Sequence, residues 1–502
     1  MTTNLNHLFF NKTKLWHILI VALFFRLLAA MFAIGYGMHD DHFCVIEPAQ
    51  GWVDGQNIGN WLPENREGFT PVIMYSFFYP GIHFLLFSIM KSLNINDPQI
   101  KMFLIRLLHA FYSLGVIYFG YKITEKISDK HKALACAALL GLLWFTPNLS
   151  VRNLTEVVCT VPLLAGLYFL IKEKSINLSS ALWSGFIMGF AFSIRFQTAL
   201  FIGGIGLVLL YKKQLKLMLL FAIGVALNIF LFQCIADIWF WKKPLAVFLG
   251  YVEYNLQNKG NFISGSWYNY PLLISGLVLP PISILFWISY FKTARKYLLL
   301  FVPSFLFLVF HCSFENKQER FILTFIPFFI IQGCASYDIV WLFIQNHPTI
   351  KNAVKVALYF IIVINGILLF ATSFAATHVS RMNAMSYIYT QKDVRSYLID
   401  ATYKDGWEFF PRFYLGSWCP EYLLTKSWSV FQWKENFPGD KKLPNYAIFV
   451  SEQNLSARVD QLKEIFPVAH QVASIQPSWV DKLFHRLNPV NKNEPCFIYK
   501  LE

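Results

Sequence analysis

The ionisable residues of this chain gather in a few short polar segments of an otherwise strongly apolar sequence. The first segment follows the first apolar run and carries Asp40, Asp41, Glu47 and Asp54, with Glu64 and Glu67 further on. Adjacent carboxylates suit a general base, because an ionised carboxylate within hydrogen-bond reach can take a proton from a hydroxyl. The alternative is a solvated acidic loop. A second segment, NLSVRNLTE, sets Arg152 and Glu156 four residues apart, on one face if the segment is helical. Arg195 sits between two apolar runs, with Gln197 after it. An arginine at a membrane boundary either serves a ligand or snorkels to the headgroups. The densest segment is HCSFENKQERFILTFIP, where His311, Glu315, Lys317, Glu319 and Arg320 precede an apolar run. Lysine as a point charge and arginine as a bidentate fork hold phosphate at an interface; a charged cap on the next helix is the alternative. In GSWYNYP, Trp267, Tyr268 and Tyr270 form either an interfacial aromatic belt or a stacking surface.

These segments must be positioned by a membrane. Of 502 residues 56% are hydrophobic and 14% charged, against about 25% charged in soluble proteins. Apolar runs of about 20 residues can face lipid instead of a water-excluded core. Eleven such runs are expected to span: Leu15 to Tyr36, Met102 to Ile123, Ala133 to Pro147, Val157 to Ile171, Ala181 to Ile194, Thr198 to Tyr211, Leu215 to Ile235, Leu272 to Phe291, Tyr297 to Phe310, Phe321 to Gln345 and Ala353 to Phe374. The first is expected to be a retained span and not a removed signal peptide. Phe77 to Met90, interrupted by Pro80 and Gly81, is expected to be an interfacial or re-entrant helix.

The net charge of +14 follows the positive-inside bias. Lys12/Lys14, Lys122 to Lys132, Lys172/Lys174, Lys212/Lys213/Lys216, Lys292/Arg295/Lys296 and Lys351/Lys355 then all lie on the cytoplasmic side, and the runs alternate without conflict. This puts the N-terminus in the cytoplasm. It puts every segment with unusual polar chemistry, and the C-terminus, on the other side. The basic residues form no continuous patch that would track a nucleic acid. The expected division is a transmembrane domain over residues 1–377, with an outer catalytic loop at 37–101, and a small extracytoplasmic α/β domain over 378–502. In the latter, Tyr446 to Val450 and Phe497 to Tyr499 read as strands and Ser456 to Ile465 as a helix. The eight cysteines lack metal-binding spacing; Cys419 and Cys496 are candidates for a disulfide if the tail is extracytoplasmic.

Taken in order, the motifs resemble those of the Alg9-like mannosyltransferases, the enzymes of N-glycan and GPI-anchor assembly and their bacterial relatives. Asp40-Asp41, Phe43 and Glu47-Pro48 match the family's first-loop acidic pair, aromatic and Glu-Pro step. His311, Lys317-Gln318-Glu319-Arg320-Phe321 and Pro327 match its His, Lys-x-Glu-Arg-Phe and Pro signature. Arg152, Asn153 and Glu156 approximate its Arg, Asn, Glu step, and Arg195 its arginine after a glycine-rich span. The likeness covers about residues 15 to 375. It departs at Asp41, where the family has Glu, at Tyr75, where it has Arg before Ser76 and Pro80, and in lacking a Thr-Trp-Glu-Trp stretch. These departures leave the acceptor and the sugar open and retain the base and phosphate positions.

The resemblance implies an all-α polytopic protein of the C-type glycosyltransferase fold, with about 11 transmembrane helices plus interfacial helices. Its donor would be a polyprenyl- or dolichyl-phosphate sugar, most often mannose. Its acceptor would be a glycan or glycolipid, with inversion at the anomeric carbon and neither a nucleotide sugar nor a bound metal or other cofactor. On this reading Asp40 is the base, with Asp41 and Glu47 beside it. Lys317 and Arg320, with His311, Arg152 and Arg195, receive the donor phosphate. Glu319, Trp267, Tyr268 and Glu156 contact acceptor or sugar. The alternatives are the same fold acting on another sugar, or a transporter of lipid-linked sugars. The expected membrane is bacterial and cytoplasmic; the endoplasmic reticulum is the other choice, where Asn153-Leu154-Thr155 and Asn454-Leu455-Ser456 are candidate glycosylation acceptors.

Overall fold

A computed structural model describes residues 12–37, 39–56, 76–173, 175–258, 264–403, 408–426, 443–487 and 493–502. Glu64, Glu67, Tyr75 and Lys174 lie outside the described residues. Every apolar run named above falls on helix, the one open-ended backbone form that satisfies its own polar groups in lipid. Leu15–Phe32, Pro98–Ile127, Leu215–Trp241 and Pro348–Ser373 are long and apolar enough to cross a bilayer. The helix Pro348–Ser373 turns Val356, Phe360, Val363, Ile367 and Phe370 outward, as a lipid-facing surface would.

The remaining runs are shorter or broken, for local reasons. Pro280-Pro281 divides the run at Leu272 into Asn269–Leu277 and Ile282–Lys292, because consecutive prolines supply no N–H to the helix. The run from Phe321 becomes a 3₁₀ turn, Glu319–Ile322, then Phe325–Ser336 and Asp338–Gln345, the last two bent by 49°. One expectation is corrected: Pro80 and Gly81 do not interrupt their segment, which is the continuous helix Phe78–Ser92. Pro80 lies in its first turn, where the backbone N–H has no intrahelical acceptor to lose.

The chain forms two compact units. The first comprises residues 1–31, 62–82 and 105–374. Its helices approach closely through glycines: a Cβ on Gly185 would lie 2.0 Å from the Phe221 carbonyl oxygen, and one on Gly224 would lie 2.1 Å from that of Leu182. Small residues permit this backbone contact between apolar helices. The fully buried Arg26 donates to the carbonyls of Ala22 (3.1 Å) and Gly141 (2.9 Å) and to the hydroxyls of Ser113 (3.0 Å) and Ser150 (3.3 Å).

The second unit comprises residues 32–61, 83–104 and 375–502. Its sheet has the strand order β2-β1-β3-β5-β4, with β1 Tyr397–Asp400, β2 Glu421–Leu424, β3 Tyr446–Val450, β4 His470–Ile475 and β5 Cys496–Lys500. β1 runs parallel to both neighbours, whereas β5 is antiparallel to both of its own. The expected strands at β3 and β5 and the helix, Leu455–Ile465, are present; β1, β2 and β4 are additional. Cys419 and Cys496 are free thiols, which corrects the disulfide expectation. Cys419 immediately precedes β2, and three strand spacings separate β2 from β5, about 14 Å and beyond the reach of a disulfide.

The buried Asp481 accepts from the backbone N–H groups of His378 (2.9 Å) and Val379 (3.2 Å) at the start of helix Val379–Gln391, the anionic cap such an end favours. Two ion pairs lie in the interior here: the half-buried Arg381 with the buried Glu408 at 2.6 Å, and the buried Arg458 with Asp400 at 3.3 Å. Burial alone would lower the Arg381 pKa. The charge of Glu408, then of Tyr36, outweighs it and holds the guanidinium above its ordinary value.

Candidate active site

In the first unit three of the singled-out residues meet. Glu156 opens the short helix Thr155–Val158. Arg195 caps the C-terminus of helix Leu178–Ile194 with extended backbone. Arg320 lies in the 3₁₀ turn Glu319–Ile322. Each follows or precedes an apolar helix, so the helices fix the chain ends and aim the polar side chains inward. Residue exposures are 1% for Glu156, 6% for Arg195 and 8% for Arg320.

Both guanidiniums converge on one carboxylate oxygen. Arg195 Nη1 donates to Glu156 Oε1 in a short contact, and Arg320 Nε lies 3.7 Å from the same atom. Thr155 donates to Oε2 at 3.2 Å. The Glu156 backbone carbonyl accepts from Thr324 (2.9 Å) and Thr160 (3.1 Å), which pins the turn in place. The ring of Phe321 lies 5.5 Å from both guanidinium carbons, close enough for a cation–π contribution. Arg320 Nε also donates to Gln318 Oε1 at 2.9 Å. The Nε and Nη2 groups of Arg195 are buried with no hydrogen-bond partner among the described residues. Buried donors of this kind are costly unless a ligand or water takes them. Arg152 and Asn153 are buried in the segment leading to Glu156. Burial of Asn153 removes it as a glycosylation acceptor in the folded chain, whereas Asn454 is exposed.

Lys317 is placed differently. Its ammonium donates to the carbonyls of His311 (2.6 Å) and Cys312 (2.8 Å) and, in a short contact, of Phe314, where helix Leu298–Ser313 ends. It also sits 5.1 Å over the ring of the buried Tyr270. Desolvation lowers its pKa. All three protons thus terminate the helix, a cation at the negative end of the dipole. His311 is buried, with Nδ1 2.8 Å from the Phe307 carbonyl. A carbonyl only accepts, so Nδ1 carries a proton there. Glu319 is exposed, as are Trp267 at 68% and Tyr268 at 48%. Trp267 edges an apolar groove of 650 Å³ whose walls include Leu272, Trp287, Phe305, Val309 and Cys312.

The acidic pair belongs to the second unit. Asp40 and Asp41 form the helical turn His39–Asp41, followed by a π-helical turn, His42–Ile46, and helix Glu47–Val53. Short π segments often mark functional positions, because they turn side chains out of helical register. Asp40 is half-buried and Asp41 buried. Glu47 accepts from the backbone N–H of Phe413 (3.0 Å) and lies 3.5 Å from Nε2 of the buried His42. His42 stacks on Tyr414 (centroids 5.4 Å apart, rings at 9°) and on Tyr36 (5.3 Å, 25°). Glu47 and His42 therefore hold the acidic turn.

Sequence reasoning found the residues of the Arg195–Glu156–Arg320 cluster. It passed over Thr155, Thr324 and Tyr251, whose hydroxyl accepts from Gln197 in a short contact. It also passed over His42. The only available signal for His42 was its position next to the acidic pair.

The model of the Alg9-like mannosyltransferase family matches residues 17–422. Mannosyltransferase APTG1 of Arabidopsis thaliana is 23% identical over 77% of this chain and 71% of its own length. GPI mannosyltransferase 3 of Debaryomyces hansenii is 23% identical over 76% of this chain and 68% of its own. The crystal structure of ArnT from Cupriavidus metallidurans bound to undecaprenyl phosphate superposes with a TM-score of 0.60 at 13% identity, covering 96% of this chain and 97% of that one. The apo form gives 0.58 at 14%, covering 96% and 97%. The fold is that of the C-type glycosyltransferases, largely helical with a small C-terminal sheet. With the family's match running from the first apolar helix into β2, the chain belongs to the Alg9-like mannosyltransferase family.

Proposed function

We propose that this enzyme moves a mannosyl residue from a polyprenyl- or dolichyl-phosphate carrier to a glycan or glycolipid hydroxyl at the non-cytoplasmic membrane face, with inversion. The observation that carries this reading is the buried pair of guanidiniums on Glu156, one of them with two donors unoccupied among the described residues. A phosphate suits those donors, since arginine binds phosphate in a charge-assisted fork. That a fold neighbour was crystallised with undecaprenyl phosphate supports a lipid-linked anion as the ligand. The 650 Å³ apolar groove beside Trp267 suits the first part of a lipid tail.

In the proposed reaction the acceptor oxygen attacks the anomeric carbon as the bond to the carrier phosphate breaks. The electron pair leaves with the phosphate, and the acceptor proton passes to Asp40. Arg195 and Arg320, assisted by Arg152 and His311, stabilise the charge growing on the leaving group, a term that commonly dominates catalysis. Asp41 orients the acceptor, and Glu47 fixes the turn that bears both aspartates. Lys317 closes its helix and so holds Arg320 in position. Trp267, Tyr268 and Glu319 are offered to the sugar or acceptor from the exposed edge.

The test is purified protein in lipid nanodiscs, given polyprenyl-phosphate mannose or glucose and a glycolipid extract, with product linkage determined. The expected result is mannose transfer with inversion. Transfer of glucose alone, or movement of intact lipid-linked sugar across the bilayer without bond cleavage, would overturn the proposal.

A further inference from the structure

The cluster contains an anion of its own. Glu156 already occupies a place between two arginines where a phosphate is proposed to sit, and it is almost fully buried. A site built only to hold phosphate would not carry a fixed carboxylate at its centre. We infer that Glu156 makes this site prefer the phosphodiester of the donor over the phosphomonoester of the spent carrier, and so drives product release. The inference rests on the reading of the cluster as the donor-phosphate site.

The physical basis is charge matching. The sugar-phosphate-lipid is a diester with one negative charge at any working pH. Bond cleavage converts it to a monoester whose second pKa is about 6, so that it carries nearly two charges above neutrality. The attraction of a cationic pocket for an anion grows linearly with the anion's charge, whereas the cost of taking it from water grows with the square. Arg195, Arg320 and Glu156 together carry one net positive charge, which matches the diester and under-compensates the dianion. Without the carboxylate the trio would carry two, and the spent carrier would be matched instead. Removing Glu156 therefore favours the dianion over the monoanion whatever fixed charge the other residues add. The charged and titratable groups around the trio are Arg152 on the segment before Glu156, Cys159 at the end of its short helix, Tyr251, Tyr270, His311, Lys317 and Glu319.

The experiment measures equilibrium binding of two probes to the full chain in nanodiscs: a short-chain polyprenyl phosphate and its methyl diester, between pH 5.5 and 8. The diester has fixed charge, so its profile reports any titration of the protein itself. In the native chain the monoester should bind about tenfold more weakly at pH 8 than at pH 5.5 relative to the diester. Glu156→Gln should abolish that loss and slow carrier release, and Glu156→Asp should retain it. A monoester profile parallel to the diester profile in the native chain would overturn the inference. So would a Glu156→Gln protein that keeps the native ratio. Should Glu156→Gln fail to fold, the native profile and Glu156→Asp decide. Failure of the underlying reading looks different: neither probe binds, or Arg320→Ala binds both as tightly as the native chain.

Discussion

The two units pair their interior arginines differently. In the unit that carries the sheet, Arg381 faces Glu408 and Arg458 faces Asp400, one cation to one carboxylate. Arg458 spends further donors on the carbonyls of Val450 (3.1 Å) and Ser451 (2.6 Å), with Nε alone unspent among the described residues. In the helical unit, Arg195 and Arg320 share a single oxygen of Glu156, and Arg195 keeps two buried donors unspent among the described residues. Arg26 shows that the helical unit can satisfy an arginine when only structure is at stake, through carbonyls and hydroxyls alone. Burying charge without compensation is expensive. The one-to-one pairs are therefore read as scaffold, and the cluster with two guanidiniums on one carboxylate is the proposed place for an anionic ligand.

Substitutions can break or sharpen this contrast. The largest effect is expected outside both kinds of cluster, at the half-buried Asp40. Asp40→Asn should lower the transfer rate by a factor of about 100 to 10,000 while donor binding persists. Single-turnover kinetics with saturating donor measure it, and unchanged turnover would remove Asp40 from the base role. Next comes a scaffold pair: Arg381→Ala removes the charge partner of the buried Glu408, which keeps its bond from Tyr403 (3.0 Å), and should cost about 3–5 kcal/mol of stability. Thermal unfolding reads that loss, and molecules that remain folded should keep native donor affinity. Arg320→Ala should do the reverse, reducing transfer by a factor of about 100 to 1,000 with a smaller change in unfolding temperature. Equal loss of stability in the two variants would erase the distinction between scaffold and site.

The smallest effect concerns a surface pair. Asp393 accepts from Lys500 (2.7 Å) and Tyr446 (2.6 Å), and these bonds, that of Lys500 first, hold its carboxyl below the usual range. A depressed carboxylate stabilises the fold above its unfolded pKa, about 3.9, and that contribution is lost as pH falls through the lower folded value. Asp393→Asn should therefore remove a small increment of stability at neutral pH and change little below the folded pKa, so that the acid limb of the stability profile flattens slightly. A loss as large in acid as at neutral pH would contradict the assignment.

Much of the arginine–glutamate cluster was legible in the sequence because charge stands out against lipid-soluble surroundings. Arg195 and Arg320 each adjoin an apolar run, and so does Glu156. The helices were legible for the same reason. Less legible was the use made of each charge. Lys317 reads as a phosphate ligand in the string Lys-Gln-Glu-Arg, yet its protons go to the carbonyls that end the preceding helix, a geometry that appears only when the chain turns back. Glu156 reads as a sugar contact but lies between two arginines from segments far away in the chain. In the tail, β3 and β5 stood out as apolar stretches. β1 and β2 have four residues each and depend on pairing across long separations, so local pattern gave no sign of them. The continuous helix at Phe78–Ser92 shows that a proline's meaning depends on its place in the helix.

The central claim is that the arginines on Glu156 receive the donor phosphate and that the matched pairs do not. The most direct measurement is the affinity of the polyprenyl phosphate methyl diester for the native chain, for Arg195→Ala and for folded Arg381→Ala. The account predicts a loss of about tenfold or more for Arg195→Ala and native affinity for Arg381→Ala. Native affinity in Arg195→Ala, or an equal loss in both, would contradict it.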